Sequence, residues 1–479
     1  MAGQFRLCLA LWGKHPAGDR IQMAEIIPFR GIRYHARLNA DIADLTTPPY
    51  DVISPERQEA FHQRHPHNII RLILSRPAAD DTQDENQYTR AGNLYDHWRR
   101  TGILVRDAAP RFYLNATGFE AGGHAYERHG LLAAVRLEPF ENGVVLPHEK
   151  TFSRVKADRL RLMRECHANF SPIFSMFSDE ENMTGRLAKW SAETPPIMEF
   201  TDMDGHRQRF WEITDTARCR RLQKVFTEKC IYIADGHHRY ETALAFRDEV
   251  TEAAGGLPAD HPVNFVLMHL TGMEDPGMMI LPAHRLLRTV PEDAVSRFLG
   301  QAPDCFDVKE YPADTHGRAA FLEGMENGNA AGGPVIGAVL SRRKKLLRLS
   351  LKPGVMADRF GSELPAAVHR LDVSVMTRLI LMDLMGFDAA RLDNEEIIAY
   401  TTDPAGAVDR SLAGEFDAAF LLRPTPMSHV REVAAAGLVM PRKSTYFYPK
   451  VITGLVLHHL KPADSASRAG SSMRATSAE

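Results

Sequence analysis

The most informative stretch for the fold is Cys230-Ile-Tyr-Ile-Ala-Asp235-Gly236-His237-His238-Arg239-Tyr240-Glu241. In it, an apolar run is followed by a cluster of polar residues. The run is typical of a buried strand, Gly236 permits a tight turn, and the spacing predicts a helix over 240–252. Free N–H groups and the positive dipole end make the start of a helix favourable for an anion. The two histidines and Arg239 add donors there, and a guanidinium can bind a phosphate through two hydrogen bonds. The stretch therefore predicts a phosphate site.

Asp235 has a different expected role, because its carboxylate would repel a bare phosphate. We expect it to hold a metal ion or a hydroxyl group. The alternative is a plain helix cap, with Asp235 as the capping residue and His237 and His238 on the surface. A zinc site is disfavoured, because adjacent histidines on one turn point in different directions and the sequence contains no H-E-x-x-H helix.

Upstream, a second segment reads Val144-Val-Leu-Pro147-His148-Glu149-Lys150-Thr151. An apolar strand ends at Pro147, and a carboxylate then lies between a histidine and a lysine. A carboxylate at the end of a strand can act as a general base when its geometry is right. The alternative is an exposed, charged loop.

Two further segments supply candidate substrate ligands. The prolines of 48–49 form a rigid turn that presents Asp51, and Arg30 is a lone charge among apolar residues; turn stiffness and helix capping are the alternative there. The segment 440–450 mixes cations such as Lys443 with hydroxyls and aromatic rings. Such a mixture suits phosphate binding or stacking on a base, or else the rim of a packed domain.

Along the chain, short apolar runs alternate with amphipathic stretches. The patterns predict a helix opening at Ser54-Pro55, hairpins around Gly122-Gly123 and Asp204-Gly205, a strand over 68–74 and a long amphipathic helix over 366–385. This mixture favours an α+β fold with mixed sheets and hairpins over one doubly wound parallel sheet. We predict four regions. They are a catalytic α+β region over 22–290, a small α+β region over 291–365, a C-terminal α/β region over 366–460 and a disordered tail over 461–479.

The composition of the chain limits the classes of function that it can have. The chain has 479 residues, enough for about two to four domains. Its 58 basic and 61 acidic residues give a net charge of −3, so a chain-wide basic footprint for nucleic acid is absent. Five cysteines without C-x-x-C spacing argue against a disulfide scaffold and favour a cytoplasmic setting. No run of eighteen apolar residues predicts a membrane span.

The N-terminus carries a six-residue apolar run, Leu7 to Trp12, which is too short for a signal-peptide core. We expect a short extension or a start at Met23. The sequence also lacks the G-x-x-x-x-G-K-[ST] loop, the protein-kinase motifs and a G-x-S-x-G elbow. Nucleotide chemistry would therefore need another scaffold.

Five motifs together are specific to one family: Pro28-Phe-Arg-Gly31, Pro48-Pro-Tyr-Asp-Val-Ile53, Leu146-Pro-His-Glu-Lys-Thr151, Asp235-Gly-His-His-Arg239-Tyr-Glu-Thr-Ala and Met440-Pro-Arg-Lys-Ser-Thr-Tyr-Phe-Tyr-Pro-Lys450. Over roughly residues 22–460 the chain resembles the DUF1015 family of bacterial and archaeal proteins. The family name states no function.

The motif Asp235-Gly-His-His-Arg239 also resembles the phosphate loop of the ParB/sulfiredoxin superfamily, and in particular that of its free-serine kinases. The resemblance implies a ParB/sulfiredoxin-like nucleotide-binding core with Gly236, His237, His238 and Arg239 as the phosphate cradle. It also implies Glu149 as the catalytic base that activates a substrate hydroxyl. The two motifs lie 86 positions apart in this chain, which suggests a long insertion.

In this interpretation Asp235 lies near Mg²⁺ or the hydroxyl, as a catalytic and metal-binding residue, and ATP or ADP is the co-substrate. We expect the substrate to be contacted by four further residues, Arg30, Asp51, Lys150 and Lys443. The predicted function is a small-molecule kinase that acts on a hydroxyl amino acid, with free L-serine as the leading candidate substrate. The alternatives are a ParB-like nucleic-acid-binding protein, against which the net charge counts, and a non-catalytic nucleotide sensor.

Overall fold

A computed structural model describes residues 23–149, 151, 153–327, 333–392, 394 and 396–462. The predicted N-terminal extension, Lys150 and the tail from residue 463 lie outside the described residues. Within the described part, the chain forms two compact units. The larger unit comprises 23–147, 151, 153–278 and 449–462, and the smaller unit comprises 148–149 and the described residues of 279–448. The predicted division near 290 and 365 stays a prediction.

The larger unit contains a nine-stranded mixed sheet. In chain order its strands are Ile26–Ile27, Phe112–Ala121, His124–Arg136, Val145–Leu146, Ile173–Phe177, Met198–Thr201, Arg207–Ile213, Ile231–Asp235 and Phe265–Gly272. Eight of the strands run in spatial order from Val145–Leu146 through the strands that begin at 231, 173, 265, 124, 112 and 207 to the strand at 198. The ninth, Ile26–Ile27, pairs with the strand that begins at 124. Both predicted hairpins, at Gly122-Gly123 and Asp204-Gly205, are confirmed.

Two small sheets and the helices complete this unit. The small sheets pair Ile32–Tyr34 with Leu104–Arg106 and Ala168–Asn169 with His458–His459. The α-helices are Ile42–Leu45, Pro55–Arg64, Ile70–Ile73, Gln87–Arg100, Ser153–Cys166, Met183–Ala192, Thr216–Phe226 and His237–Ala254. Short 3-10 helices occupy Ala36–Leu38, Tyr50–Val52, Phe140–Asn142 and Pro262–Asn264.

The centre of the nine-stranded sheet is buried on both faces. Along the strand His124–Arg136, Leu131 and Ala133 pack in one core cluster with residues of the flanking helices, among them Tyr240. Leu132, between them, packs in a second cluster with the C-terminal segment, including Val456. Because successive strand side chains point to opposite faces, the second half of this strand, residues 130–135, is a continuous apolar run rather than an alternating one.

The smaller unit contains a six-stranded sheet, in spatial order Phe306–Tyr311, Lys345–Leu351, Val335–Leu340, Ala418–Leu421, His284–Leu287 and Ile398–Thr401. A separate ribbon pairs Met279–Leu281 with Tyr446–Tyr448. The helical segments are Glu292–Cys305, Thr315–Glu326, Val355–Phe360, Ala366–His369, Asp372–Ser374, Val375–Leu384, Ala389–Leu392, Pro404–Leu412 and Met427–Ala435. Helices and hairpins thus mix in both units, and the predicted α+β class is confirmed.

Two predicted elements are wrong. The run 68–74 contains a short helix, Ile70–Ile73, not a strand. The Asn68 side chain accepts the N–H of Ile70 at 2.8 Å and so favours a helical turn, and an apolar run buried on all sides has no periodicity that separates the two structures. The predicted helix over 366–385 is broken at Leu371, which is extended, and its second half, Val375–Leu384, is a π-helix.

None of the helices in the described part of the chain is both long enough and apolar enough to cross a membrane. No disulfide joins the four cysteines that the structure describes, Cys166, Cys219, Cys230 and Cys305.

Candidate functional site

The strand Ile231–Asp235 ends in a tight turn, which we call the Asp235 loop (residues 235–239). Gly236 has a φ of 100°, a left-handed conformation that side-chain-bearing residues rarely adopt. A Cβ at this position would also lie 2.8 Å from Nε of Arg239. The helix His237–Ala254, which we call the loop helix, begins directly after Gly236. The glycine is therefore needed both for the turn and for the close approach of Arg239.

Two cations hold the Asp235 carboxylate. Lys450 Nζ lies 2.6 Å from Oδ1, and Arg239 Nη2 lies 2.6 Å from Oδ2. The three side chains are only 11–14% exposed. Burial alone would raise the pKa of Asp235, but the charges of Lys450 and Arg239 outweigh burial and hold that pKa well below its usual range. Asp235 is therefore ionised, and the cluster carries one more positive than negative charge.

The histidines of the loop differ from each other. His237 is buried, and burial lowers its pKa to about 3 against the opposing attraction of Asp235. His237 is consequently neutral at physiological pH, and the alternative that places both histidines on the surface fails for this residue. His238 is half-buried, and its carbonyl accepts the hydroxyl of Thr242 at 2.7 Å.

The start of the loop helix is suited to an anion. Its N-cap is Gly236, which has no side chain to cap the N–H groups of the first turn, so Asp235 is not the capping residue. Arg239 is fixed beside that turn, because Nη1 donates to the carbonyl of Pro172 while Nη2 binds Asp235. The N–H groups and the excess positive charge therefore meet at one place.

Glu149 belongs to the smaller unit, where it contacts the segment 440–444. The N–H of Met440 donates to the carbonyl of His148 at 2.8 Å. The N–H of Lys443, whose φ of 55° is left-handed, donates to Oε1 of Glu149 at 3.4 Å. Backbone N–H groups of the segment 440–450 thus bring it into contact with His148 and Glu149 of the other predicted segment.

Sequence reasoning missed Arg285, which supports this turn. Its Nη2 donates to the carbonyl of Arg442 at 2.9 Å and to that of Lys443 at 3.0 Å. The side chain is buried, and burial lowers its pKa to about 10 although Tyr400 and Glu149 oppose the shift. A lone arginine between His284 and two leucines was the signal that could have found it. Lys450, at the end of a quoted motif, was likewise not assigned to the site.

The remaining predicted ligands are more scattered. Arg30 donates through Nε to the carbonyl of Asp107 at 2.9 Å. Asp51 is exposed in the 3-10 helix Tyr50–Val52. Lys150 lies outside the described residues. The structure thus joins Lys443 to Glu149, and it joins the Asp235 loop to Lys450.

The residues as placed do not fit Asp235 as a ligand of Mg²⁺. A divalent cation on this carboxylate would approach Lys450 and Arg239, both already 2.6 Å from its oxygens, and like charges at that range repel strongly. Among the residues that the structure describes, no group of three histidine, cysteine, aspartate or glutamate side chains could hold a metal ion.

The sequence matches the family described as "Protein of unknown function (DUF1015)" over residues 26–374, and the chain belongs to that family. No curated protein matches it.

Several solved structures are distantly similar. A conserved hypothetical protein from Pyrococcus furiosus is 14% identical, with 65% of this chain and 92% of that chain covered and a TM-score of 0.30. A free serine kinase in complex with AMP is 12% identical, with 65% and 88% covered and a TM-score of 0.31. SbnI with a C-terminal truncation, from Staphylococcus aureus, is 9% identical, with 71% and 93% covered and a TM-score of 0.35. Likenesses this distant carry no argument about activity.

Proposed function

We propose that this protein is a small-molecule kinase that binds the phosphates of ATP or ADP at the Asp235 loop. The observation that carries the proposal is the pair of cations, Arg239 and Lys450, fixed on one carboxylate at the start of an 18-residue helix. Phosphoryl transfer needs such positioned positive charge more than it needs covalent chemistry. A plain helix cap would not require two nearly buried cations.

The proposed reaction is an in-line displacement at the terminal phosphorus of the nucleotide. The hydroxyl oxygen of the acceptor forms a bond to phosphorus, and the bond from phosphorus to the bridging oxygen breaks. The bridging oxygen keeps the electron pair, and the leaving group that carries it is ADP, or AMP if ADP is the donor. The hydroxyl proton passes to the carboxylate of Glu149, which we propose as the general base.

Glu149 suits this role chemically, since it is only half-buried and one of its oxygens accepts the N–H of Lys443. That contact orients the carboxylate. The proposal requires the other oxygen to come within hydrogen-bonding reach of the acceptor hydroxyl, about 2.6–3.2 Å, when substrates are bound. Arg30, Asp51, Lys150 and Lys443 remain proposed substrate contacts.

We further propose free L-serine as the first acceptor to test, because the Asp235-Gly-His-His-Arg239 motif resembles the phosphate loop of free-serine kinases. Cysteine usage supports a proposed cytoplasmic setting. Mg²⁺ is proposed only as the companion of the nucleotide phosphates, in keeping with its usual binding mode. A nucleotide sensor would use the same loop without turnover, so turnover separates the two functions.

The test is a screen of purified protein with ATP or ADP, Mg²⁺ and single hydroxyl amino acids, followed by ³¹P NMR. The proposal expects a new phosphomonoester signal in step with nucleotide loss for at least one acceptor. Nucleotide binding without any product would favour the sensor. Binding to neither nucleotide would refute the phosphate site itself.

A further inference from the structure

A small cavity lies within the larger unit beside the Asp235 loop. Its volume is about 50 Å³, and Arg239 forms part of its wall. A water molecule needs about 10–15 Å³ of such cavity volume, so the cavity has room for about three to five waters. Nucleotide pockets are several times larger. The cavity therefore suits a ligand of a few non-hydrogen atoms.

Part of the cavity lining is polar. Tyr50 and Arg159 line it together with Arg239. The guanidinium of Arg159 stacks over the Tyr50 ring, 4.3 Å from the ring centre. It is held in place by Nη1, which donates to the carbonyl of Ile73 at 2.7 Å, and by Nε, which donates to Asp158 at 2.6 Å. Both arginines are thus preorganised at the cavity wall.

Donors remain at this wall. A guanidinium has five N–H donors, and in the described part of the chain Arg239 uses two of them, toward Pro172 and Asp235. The Tyr50 hydroxyl has no hydrogen-bond partner among the described residues. Burial raises the pKa of Tyr50 to about 12, so the phenol keeps its proton and can donate it.

Apolar side chains also line the cavity, among them Ile73, Leu162 and Val266. Three donor-bearing side chains and several apolar ones in the same small cavity favour a carboxylic acid with a short carbon skeleton over a bare inorganic anion. The carboxylate can accept N–H and O–H donors together, while the carbon atoms contact the aliphatic side chains.

We propose that this cavity binds a small hydroxyl-bearing carboxylic acid through its carboxylate, which is held by Tyr50, Arg159 and Arg239. The inference rests on the proposed function in one respect: the bound acid would be the acceptor of the phosphoryl group. Arg239 would then connect the two substrates, because it lines the cavity and also binds Asp235 of the loop.

The test measures the affinity of the full chain for L-serine, propionate, glycerol and inorganic phosphate by calorimetry, without nucleotide. Tyr50→Phe removes only the hydroxyl and should keep the fold, and Arg159→Met removes the guanidinium. Tyr126→Phe, a half-buried tyrosine on a strand outside the cavity, is the matched control. We expect L-serine to bind and glycerol not to bind. Affinity should fall about tenfold in Tyr50→Phe and further in Arg159→Met, with Tyr126→Phe unchanged.

Three results would overturn the inference: no binding of any small acid, unchanged L-serine affinity in both cavity variants, or inorganic phosphate as the better ligand. Product formation from nucleotide is followed in parallel. If the wild type forms product while both cavity variants keep its KM for the acceptor, the cavity assignment fails and the kinase stands. If no protein forms product but the cavity variants lose acid binding, the kinase fails and the cavity assignment stands.

Discussion

The ammonium of Lys450 lies 2.6 Å from Oδ1 of Asp235, although 215 residues separate the two in sequence. This pair ties the C-terminal segment to the end of the strand Ile231–Asp235. It also doubles the positive charge at the loop, because Arg239 holds the other oxygen of the same carboxylate. The proposed anion site thus depends on a residue that no local pattern connects to it.

Removing this long-range pair should destabilise the larger unit. Lys450→Met keeps the aliphatic stem but removes the charge, and we expect the free energy of unfolding to fall by about 1.5–3 kcal/mol, as for a lost hydrogen bond to a charged group. Urea titration measures the change. The control is Lys156→Met, whose ion pair with Glu241 is more exposed and should contribute less than about 1 kcal/mol. Equal losses in both variants would show that the Lys450 pair has no special role.

Arg239→Ala should weaken nucleotide binding. Loss of a charge-assisted contact typically costs about 1.5–3 kcal/mol, which corresponds to roughly a 10- to 150-fold higher Kd. Calorimetry with ATP and with ADP measures it on protein whose folding has been checked by circular dichroism. Arg164→Ala, which breaks an exposed pair with Glu249, serves as the control. An unchanged Kd in folded Arg239→Ala would remove the phosphate cradle from the account.

His237 should make the fold sensitive to acid. Its pKa of about 3 in the folded chain lies below the ordinary value of 6.5, so between these values the unfolded chain binds more protons. The free energy of unfolding therefore falls as pH decreases from about 6.5 toward 3, by up to about 1.4 kcal/mol per pH unit from this residue. In His237→Gln that dependence should be shallower. Urea unfolding at several pH values tests it against the exposed His124→Gln, and parallel curves for wild type and His237→Gln would contradict the assignment.

Local signals predicted much of the fold. Ser54 caps the helix Pro55–Arg64 by accepting the N–H of Arg57, and both glycine-containing hairpin turns are where the sequence placed them. Each of these features is decided within a few residues. The run 68–74 was misassigned because its burial on all sides removes the periodicity on which the prediction depends.

The candidate site was only partly predictable, because some of its contacts join residues that are far apart in sequence. The Asp235 loop is a continuous segment, and its strand, turn and helix follow from its own sequence. Lys450 binds Asp235, which lies 215 positions away in sequence. Arg285 donates to the carbonyls of Arg442 and Lys443, about 160 positions away. Such contacts are set by tertiary packing, which spacing along one sequence does not reveal.

The most direct test of the central claim compares wild type with Glu149→Gln for nucleotide consumption in the presence of Mg²⁺ and L-serine, alongside Glu396→Gln, an exposed glutamate of the same unit. The amide keeps the acceptor for the Lys443 N–H but cannot take the hydroxyl proton. We predict that wild type and Glu396→Gln consume nucleotide and form phosphoserine one for one. Glu149→Gln should bind nucleotide normally and turn over about 10²–10⁴-fold more slowly. If the wild type consumes neither ATP nor ADP with L-serine or any other hydroxyl amino acid, or if Glu149→Gln turns over at the wild-type rate, the account is contradicted.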